Sequence, residues 1–411
     1  MNALKPRLLV LGTGFGAVTL LKSVDSKYYD VTAVSPRNHF LFTPLLPSTT
    51  VGTLEFRSIV EPVRRACPQA RYYQASSRSL RADQKRVGCV SAIDGTAFEI
   101  PYDLLVVAVG AKVNTFGIAG VAENALFLKT IDDARRIRRR VIECFELSSQ
   151  PNVTDDRRRQ LLHFVSVGGG PTGVEFAAEL NDFLMGEIKR AFPSLMPFVK
   201  VTVIDAADHL LSAFDHSLSD FATAHFKRQN ITVLSKVRVT EVARDALHLN
   251  NGDILRYGLL VWSTGIGPTI AVNNFDLPKD KASRILVDET LKVKGHEDLY
   301  ALGDCSFFGD KGLPATAQVA MQQGKYLAKA LNQRAQGKAP GPFHYHNYGM
   351  LAYVGDDEAI ADVEGLKAKG KAAFFFWRSA YFTRLLSVKN KILVLFDWAK
   401  ASLFGRDISR L

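Results

Sequence analysis

The chain has 411 residues, 47% of them apolar and 23% charged, which is enough to bury two or three cores and argues against intrinsic disorder. Its four cysteines, Cys67, Cys89, Cys144 and Cys305, are scattered without a C-x-x-C pair, so neither a zinc site nor a disulfide scaffold is indicated, and a reducing compartment fits. The formal net charge of +11 raises the question of nucleic acid, but more than half of the excess lies in the last tenth of the chain, which excludes a general basic groove.

In chain order, the first element is an apolar strand, Arg7 to Leu11. No secretory signal precedes it, and the few residues before it do not suffice for a transit peptide, which is expected to be absent or already removed. The strand runs into Gly12-Thr13-Gly14-Phe15-Gly16-Ala17 and a helix beginning at Val18. Strand, glycine loop and helix together form a phosphate cradle, because glycine allows the sharp turn and lets a pyrophosphate approach the helix N-terminus. Ala17 stands at the third glycine position, where a small residue is tolerated. The next strand, Tyr29 to Val34, ends at Ser35-Pro36-Arg37-Asn38, with serine where an acid usually holds ribose. This first loop therefore reads as the site of a cofactor that stays bound.

Further along, Val106 to Gly110 is a strand end and Thr130 to Leu147 a charged helix. In that helix the run Arg135 to Arg140 reads as a solvated face, with electrostatic attraction of a dinucleotide as the other use. Ser148 to Arg159 reads as a polar surface loop. A second cradle follows: strand His163 to Val167, loop Gly168-Gly169-Gly170-Pro171-Thr172-Gly173 and a helix opening at Val174-Glu175. Its second strand, Val199 to Ile204, ends at Asp205, a carboxylate suited to ribose hydroxyls that would repel the extra phosphate of NADP. The alternative is a strand-end turn residue. The longer spacing requires Leu180 to Phe198 to form an extended helix and loop. Glu175 near the start of its helix is electrostatically favourable there in any case.

After the strand end Val261 to Gly265 comes Leu299-Tyr300-Ala301-Leu302-Gly303-Asp304-Cys305, an apolar strand end followed by Gly-Asp. Gln318 and Gln322, four apart, share one helix face. Gly337 to Pro342 is a linker, and His344 and His346 flank Tyr345 without a third ligand, so no metal is expected. From Lys371 to Leu411 eight basic residues stand against two acidic ones, interleaved with Phe374-Phe375-Phe376-Trp377, Tyr381-Phe382, Trp398 and Leu403-Phe404. That mixture suits a membrane interface, where rings sit at headgroup depth and cations meet anionic lipid. No apolar run approaches the ~18 residues of a spanning helix. A buried core helix pair or a dimer contact are the other readings.

The Gly303-Asp304 stretch resembles the second flavin signature of two-dinucleotide-domain flavoproteins. Within them the chain resembles the type II NADH dehydrogenases, single-subunit NADH:quinone oxidoreductases that do not pump protons. The likeness rests on Ser35 to Pro47, Gly170 to Glu175 and Pro314 to Gln323 and extends over nearly the whole chain. It implies an α/β fold of two Rossmann-like domains plus a C-terminal amphipathic helical membrane-binding segment. The flavin domain is discontinuous, 1–115 and 268–343, with an NADH domain at 116–267 inserted and the anchoring segment at 344–411. It implies a tightly bound FAD held by Gly12, Gly14, Phe15, Gly16, Ser35, Pro36, Arg37, Thr43, Pro44, Ala108, Gly110, Gly303, Asp304, Thr316, Ala317 and Gln318. NADH is assigned to Gly168, Gly170, Pro171, Thr172, Glu175, Asp205, Thr264 and Gly265. Glu175, Gln318 and Gln322 are placed at the chemistry, with Glu175 near the nicotinamide and the quinone entrance. A homodimer on an anionic membrane is implied, on the mitochondrial inner membrane or the inner face of a bacterial cytoplasmic membrane, with a membrane quinone as partner and no nucleic acid. The alternative is a soluble FAD/NAD(H) redox or signalling protein of the apoptosis-inducing-factor type, whose tail binds a protein partner.

Overall fold

The computed structural model describes residues 5–410; Met1–Leu4, where the question of a leader falls, and Leu411, the end of the basic tail, lie outside it. The first part of the chain forms β1 (Arg7–Leu11), α1 (Phe15–Ser23), β2 (Asp30–Ser35), β3 (Arg71–Arg81), β4 (Arg86–Ser91), β5 (Ala97–Pro101) and β6 (Leu104–Val107). The middle forms β7 (Leu126–Phe127), α2 (Ile131–Ser148), β8 (His163–Val167), α3 (Pro171–Phe183), β9 (Lys200–Ile204), α4 (His216–Arg228), β10 (Ile231–Leu234) and β11 (Leu259–Trp262). Then come β12 (Leu299–Ala301), α5 (Ala317–Ala335), β13 (Met350–Gly355), β14 (Glu358–Val363), β15 (Leu366–Gly370), α6 (Lys371–Arg384) and α7 (Val388–Phe404).

The chain divides into two compact units. The first takes residues 5–41, 60–112 and 266–347. Its sheet has the order β12-β6-β1-β2-β3-β4-β5, parallel from β12 to β3 and antiparallel in the β3-β4-β5 meander. Leu8 to Leu11 and Leu104 to Val107 are buried throughout, as parallel strands covered on both faces must be. Gly324 of α5 brings that helix against α1, since a Cβ there would lie 2.3 Å from the carbonyl oxygen of Gly16.

The second unit takes residues 42–59, 113–265 and 348–410, so the short segment 42–59 and the C-terminal region cluster with the middle of the chain. Its five strands run parallel in the order β7-β11-β8-β9-β10. Thr130 and Asp133 close a capping box at the start of α2. The stretch read as a polar loop contains a helix, Asp155–Leu161, capped by Thr154 and stabilised by two i,i+3 Arg–Asp pairs. The charged residues that suggested a loop are its exposed face. After α3 the helix continues through a π turn, Leu184–Ile188, and ends in a 3-10 turn, Pro193–Phe198.

The arginine run on α2 is also less solvated than expected. The Arg138 side chain is 11% exposed and donates to the Asp407 carbonyl oxygen at 3.0 Å, and Arg135 lies over the Phe56 ring. Long arginine stems cover apolar surface while their heads find partners.

The C-terminal region holds the expected helix pair, preceded by a three-stranded antiparallel sheet, β13-β14-β15, that a wholly helical reading did not include. Each helix has two unlike faces. On α7, Asn390, Val394, Asp397 and Trp398 are buried, and Asp397 accepts hydrogen bonds from the Ser58 hydroxyl (2.5 Å) and the Glu55 amide (3.0 Å). Val388, Ile392, Leu395, Phe396 and Leu403 share the opposite face and are exposed. On α6, Phe374 and Trp377 point inward while Phe375 and Phe376 point outward.

Candidate functional site

Both glycine loops have the same local design. Gly12 and Gly168 adopt φ of +114° and +116°, and their amides donate to Val34 (2.7 Å) and Ile204 (2.8 Å) on the neighbouring strand. At Gly12 a Cβ would sit 2.2 Å from the Ala108 carbonyl oxygen, and at Gly168 it would press on Thr264. These two glycines are required by the protein itself. Gly14 and Gly170 are different: φ is −80° and −75°, which any residue adopts, and a Cβ would meet nothing within 4 Å. Nothing in the chain requires glycine there, while a phosphate approaching the N-termini of α1 and α3 would. The residues present therefore fit a dinucleotide at each loop. Phe15 opens α1, packed edge-on to Phe40, and Pro171 and Thr172 open α3.

Around the first loop, the Thr13 hydroxyl donates to Ser35 Oγ at 2.9 Å, and Ser35 Oγ also accepts from the Arg37 amide. Pro36 is exposed beside them. Burial pulls Arg37 below the usual guanidinium range, and no carboxylate pairs with it among the described residues, an unneutralised cation beside a phosphate loop. Gly110, at φ +64°, borders open space. Gly303 and Asp304 lie on a short turn after β12, beside a recess shared with Pro314, Ala315 and Val319. The Gly303 amide donates to Gln323 Oε1 at 2.7 Å. Neither Gln323 nor Gly324 carries a sequence signal of its own; both sit inside the Pro314 to Gln323 similarity or next to it, with Gln323 buried on the Gly303 turn and Gly324 against α1.

Thr316 caps α5 through its hydroxyl, with Ala317 the first helical residue. Gln318 Oε1 accepts from the Tyr345 hydroxyl at 3.3 Å. The Gln322 amide bonds both ways to the His346 backbone, donating at 2.7 Å and accepting at 3.0 Å. The shared face expected of the two glutamines thus holds the extended segment Tyr345–His346 in place. Thr43 and Pro44 begin a 3-10 turn in the second unit.

Around the second loop, the Asp205 carboxylate accepts from the Gly169 amide and, at 2.8 Å, from the Ala207 amide, which orders the phosphate loop and leaves lone pairs for ribose hydroxyls. Gly265, at φ +74°, would press a Cβ onto Phe116, and Thr264 packs on Gly168.

Glu175 is the most perturbed group near either loop. Its side chain is buried, and its Oε1 accepts from the Tyr353 amide (3.2 Å) and the Trp377 indole (3.1 Å). Burial pushes it up to about 8, against the lowering effect of those two donors. A carboxyl that exchanges a proton near neutral pH, on the helix that starts at a phosphate loop, is suited to acid-base work. The sequence pointed to Glu175 but not to its partners. In the sequence Trp377 reads as one of the interfacial aromatics, but its i,i+3 spacing from Phe374 places both on one inward face. The four cysteines are buried free thiols, each pushed up to about 11 or 12 by burial, so none is a poised nucleophile.

Residues 6–324 match the family model for pyridine nucleotide-disulphide oxidoreductases, and residues 347–407 match that of the NDH2 C-terminal domain. A probable NADH dehydrogenase of Dictyostelium discoideum is 46% identical over 98% of this chain and 91% of its own length. The internal alternative NAD(P)H-ubiquinone oxidoreductase A1, mitochondrial, of Arabidopsis thaliana is 42% identical over 99% of this chain and 86% of its own. The structure of NDH2 from Plasmodium falciparum in complex with NADH superposes with a TM-score of 0.94 at 30% identity, over 99% of this chain and 100% of that one. None of these relatives is a protein of the apoptosis-inducing-factor type. With two glycine cradles, a matching C-terminal domain and full-length similarity, the chain belongs to the type II NADH dehydrogenase family of single-subunit flavoproteins.

Proposed function

We propose that this protein oxidises NADH and passes two electrons through bound FAD to a membrane quinone, without pumping protons. The observation that carries the two-cofactor reading is the pair Gly14 and Gly170, where glycine is required by no part of the chain and only by a ligand's approach. FAD, when bound, supplies the hydride-accepting ring. The chain's own residues do the rest. The first loop, Ser35 to Arg37, Ala108, Gly110 and the Gly303-Asp304 turn hold that cofactor, which makes residues 1–115 and 268–343 its domain. The second loop and Asp205 hold NADH in the inserted domain, 116–267. Glu175 supplies a proton to the quinone; Gln318 orients the ring system, and Gln322 keeps the start of the anchoring segment in place.

The anchoring segment is 344–411, and the exposed side chains of Phe375, Phe376, Ile392, Phe396, Leu403 and Phe404 form its lipid-facing surface. That exposed apolar face, interleaved with lysine and arginine, suits peripheral attachment; among the described residues no helix is long and apolar enough to cross a membrane. The names of the relatives favour a mitochondrial membrane and a ubiquinone. Deleting the segment would strip Tyr353 and Trp377 from Glu175 and so is a poor test. Phe396→Asp with Leu403→Asp, both on the exposed face, should leave the flavin bound but abolish flotation with anionic vesicles and slow turnover with long-tailed quinones more than with short, water-soluble ones. Unchanged flotation, with a loss of dimer instead, would assign that face to a second copy.

A further inference from the structure

Each turnover, NADH + H⁺ + quinone → NAD⁺ + quinol, takes one proton from water. Glu175 cannot draw that proton from its own hydrogen-bond partners. A backbone amide and an indole N–H hold a carboxylate but do not give up a proton near neutral pH. Two further carboxyls lie along α3. Glu179 is four residues on and Asp182 three further, so the three carboxyls share one helix face at one-turn intervals, roughly 5–6 Å between successive Cβ atoms. Only the outer end of this line reaches solvent: Glu175 is 5% and Glu179 4% exposed, while Asp182 is half-buried beside the turn Asp356–Asp357. One residue spans the whole of it. The Tyr353 amide sits on Glu175, and the Tyr353 hydroxyl donates to Asp182 Oδ2 at 2.5 Å, with the Asp356 amide on Oδ1 at 3.0 Å.

We propose that Asp182 takes up the proton from water and passes it through Glu179 to Glu175, with Tyr353 as the positioning residue that holds both ends of the line. This rests on the reading above that Glu175 serves quinone reduction. The step balances: an acid in solution protonates the Asp182 carboxylate, the proton moves carboxyl to carboxyl, and Glu175 releases it to the quinone oxygen as the electron pair from NADH arrives. Each carboxylate is then restored. Burial pushes both Asp182 and Glu175 up from the ordinary carboxylate range, so either can carry a proton near neutral pH. The groups facing the line are consistent with it. The Thr53 hydroxyl donates to Glu179 at 2.7 Å, Arg406 lies 4.0 Å from Glu179, and Asp357, Arg378 and Tyr381 act on the line from the turn and from α6.

The test uses the flavin-loaded protein in stopped flow between pH 6 and 9, resolving flavin reduction by NADH from reoxidation by a soluble quinone. Asp182→Asn should slow reoxidation roughly 100-fold, the lower end of the range for a lost proton donor, with small added acids restoring part of the rate and flavin reduction little changed. Tyr353→Phe, which removes only a hydroxyl, should shift the pH at which reoxidation declines. Glu175→Gln is the reference. If it slows reoxidation while Asp182→Asn and Tyr353→Phe both follow the wild-type pH profile, the relay is wrong and the role of Glu175 stands. If Glu175→Gln leaves reoxidation unchanged, that role is wrong and the relay falls with it. Should Asp182→Asn fail to fold, Tyr353→Phe alone decides, and an unshifted profile overturns the proposal.

Discussion

The two glycine loops share one backbone design and part ways at two positions beyond the loop itself, the end of the next strand and the second turn of the helix. Both begin with a positive-φ glycine bonded to the next strand, and both continue to a glycine with open space above it. At the strand end, however, the first loop has Ser35, bonded to Thr13, and the second has Asp205, bonded to its own loop amides. On the following helix the first has Thr19, whose hydroxyl turns back to the Phe15 carbonyl at 2.7 Å, and the second has Glu175, aimed at Tyr353 and Trp377. The backbone motif thus sets what class of ligand is held. On the function proposed above, the one or two side chains beyond it set which dinucleotide binds and what chemistry is done beside it.

The largest effect should come from breaking what the loops share. Gly12→Ala forces a side chain into φ +114° and to within 2.2 Å of the Ala108 carbonyl oxygen. We expect no flavin-bound protein from it, measured as loss of the 450 nm absorbance on purification; the strain alone costs about 1–3 kcal/mol before the clash is counted. Gly168→Ala meets Thr264 at 2.9 Å and should weaken NADH binding while flavin remains.

A smaller effect should come from exchanging the strand-end residue. Asp205→Ser with Ala206→Arg replaces a carboxylate with a partner for a phosphate. The preference for NADH over NADPH should fall by roughly 10- to 100-fold, one charge-assisted contact being worth about 1.5–3 kcal/mol. Because Asp205 also orders Gly169 and Ala207, the KM for NADH should rise as well. An unchanged ratio of kcat/KM values would mean that Asp205 is only a turn residue.

How much of this was legible in the sequence follows from what each signal encodes. Glycine spacing between an apolar strand and a helix encodes backbone geometry directly, so both cradles and their strands could be read. Asp205 and Glu175 lie at fixed offsets from those loops and could be read with them. Tyr353, Asp182 and Gln323 could not, because their roles depend on elements far apart in the chain meeting in the fold. The sheet Met350–Gly370 was hidden because its short strands lie in a stretch read for its basic and aromatic content. The face of α2 that includes Arg138 was misread for the same reason, since a charge run does not show that residues 406–410 return to cover it.

The smallest effect concerns Glu175 and stability. Its folded value near 8 lies above the ordinary 4.5, so the folded state binds the proton more tightly than the unfolded chain. Its contribution to stability is fully present below about 4.5 and is lost as pH rises through about 8. Glu175→Gln removes that dependence. Its melting temperature should gain on the wild type by roughly a few degrees between pH 6 and 8.5, by scanning calorimetry. A constant difference across that range would place the titration elsewhere.

The claim that two like loops hold a resident flavin and a transient NADH is tested most directly by matched substitutions at the two open glycines. Gly14→Val and Gly170→Val both leave the backbone unstrained and meet no protein atom at Cβ. Anaerobic titration with NADH, followed at 450 nm, then separates the sites. Gly14→Val should fold but purify colourless. Gly170→Val should purify yellow and need roughly 100-fold more NADH to bleach, about 2.7 kcal/mol of lost binding. If Gly170→Val loses its flavin, or if either variant titrates like the wild type, the assignment of one dinucleotide to each loop is contradicted.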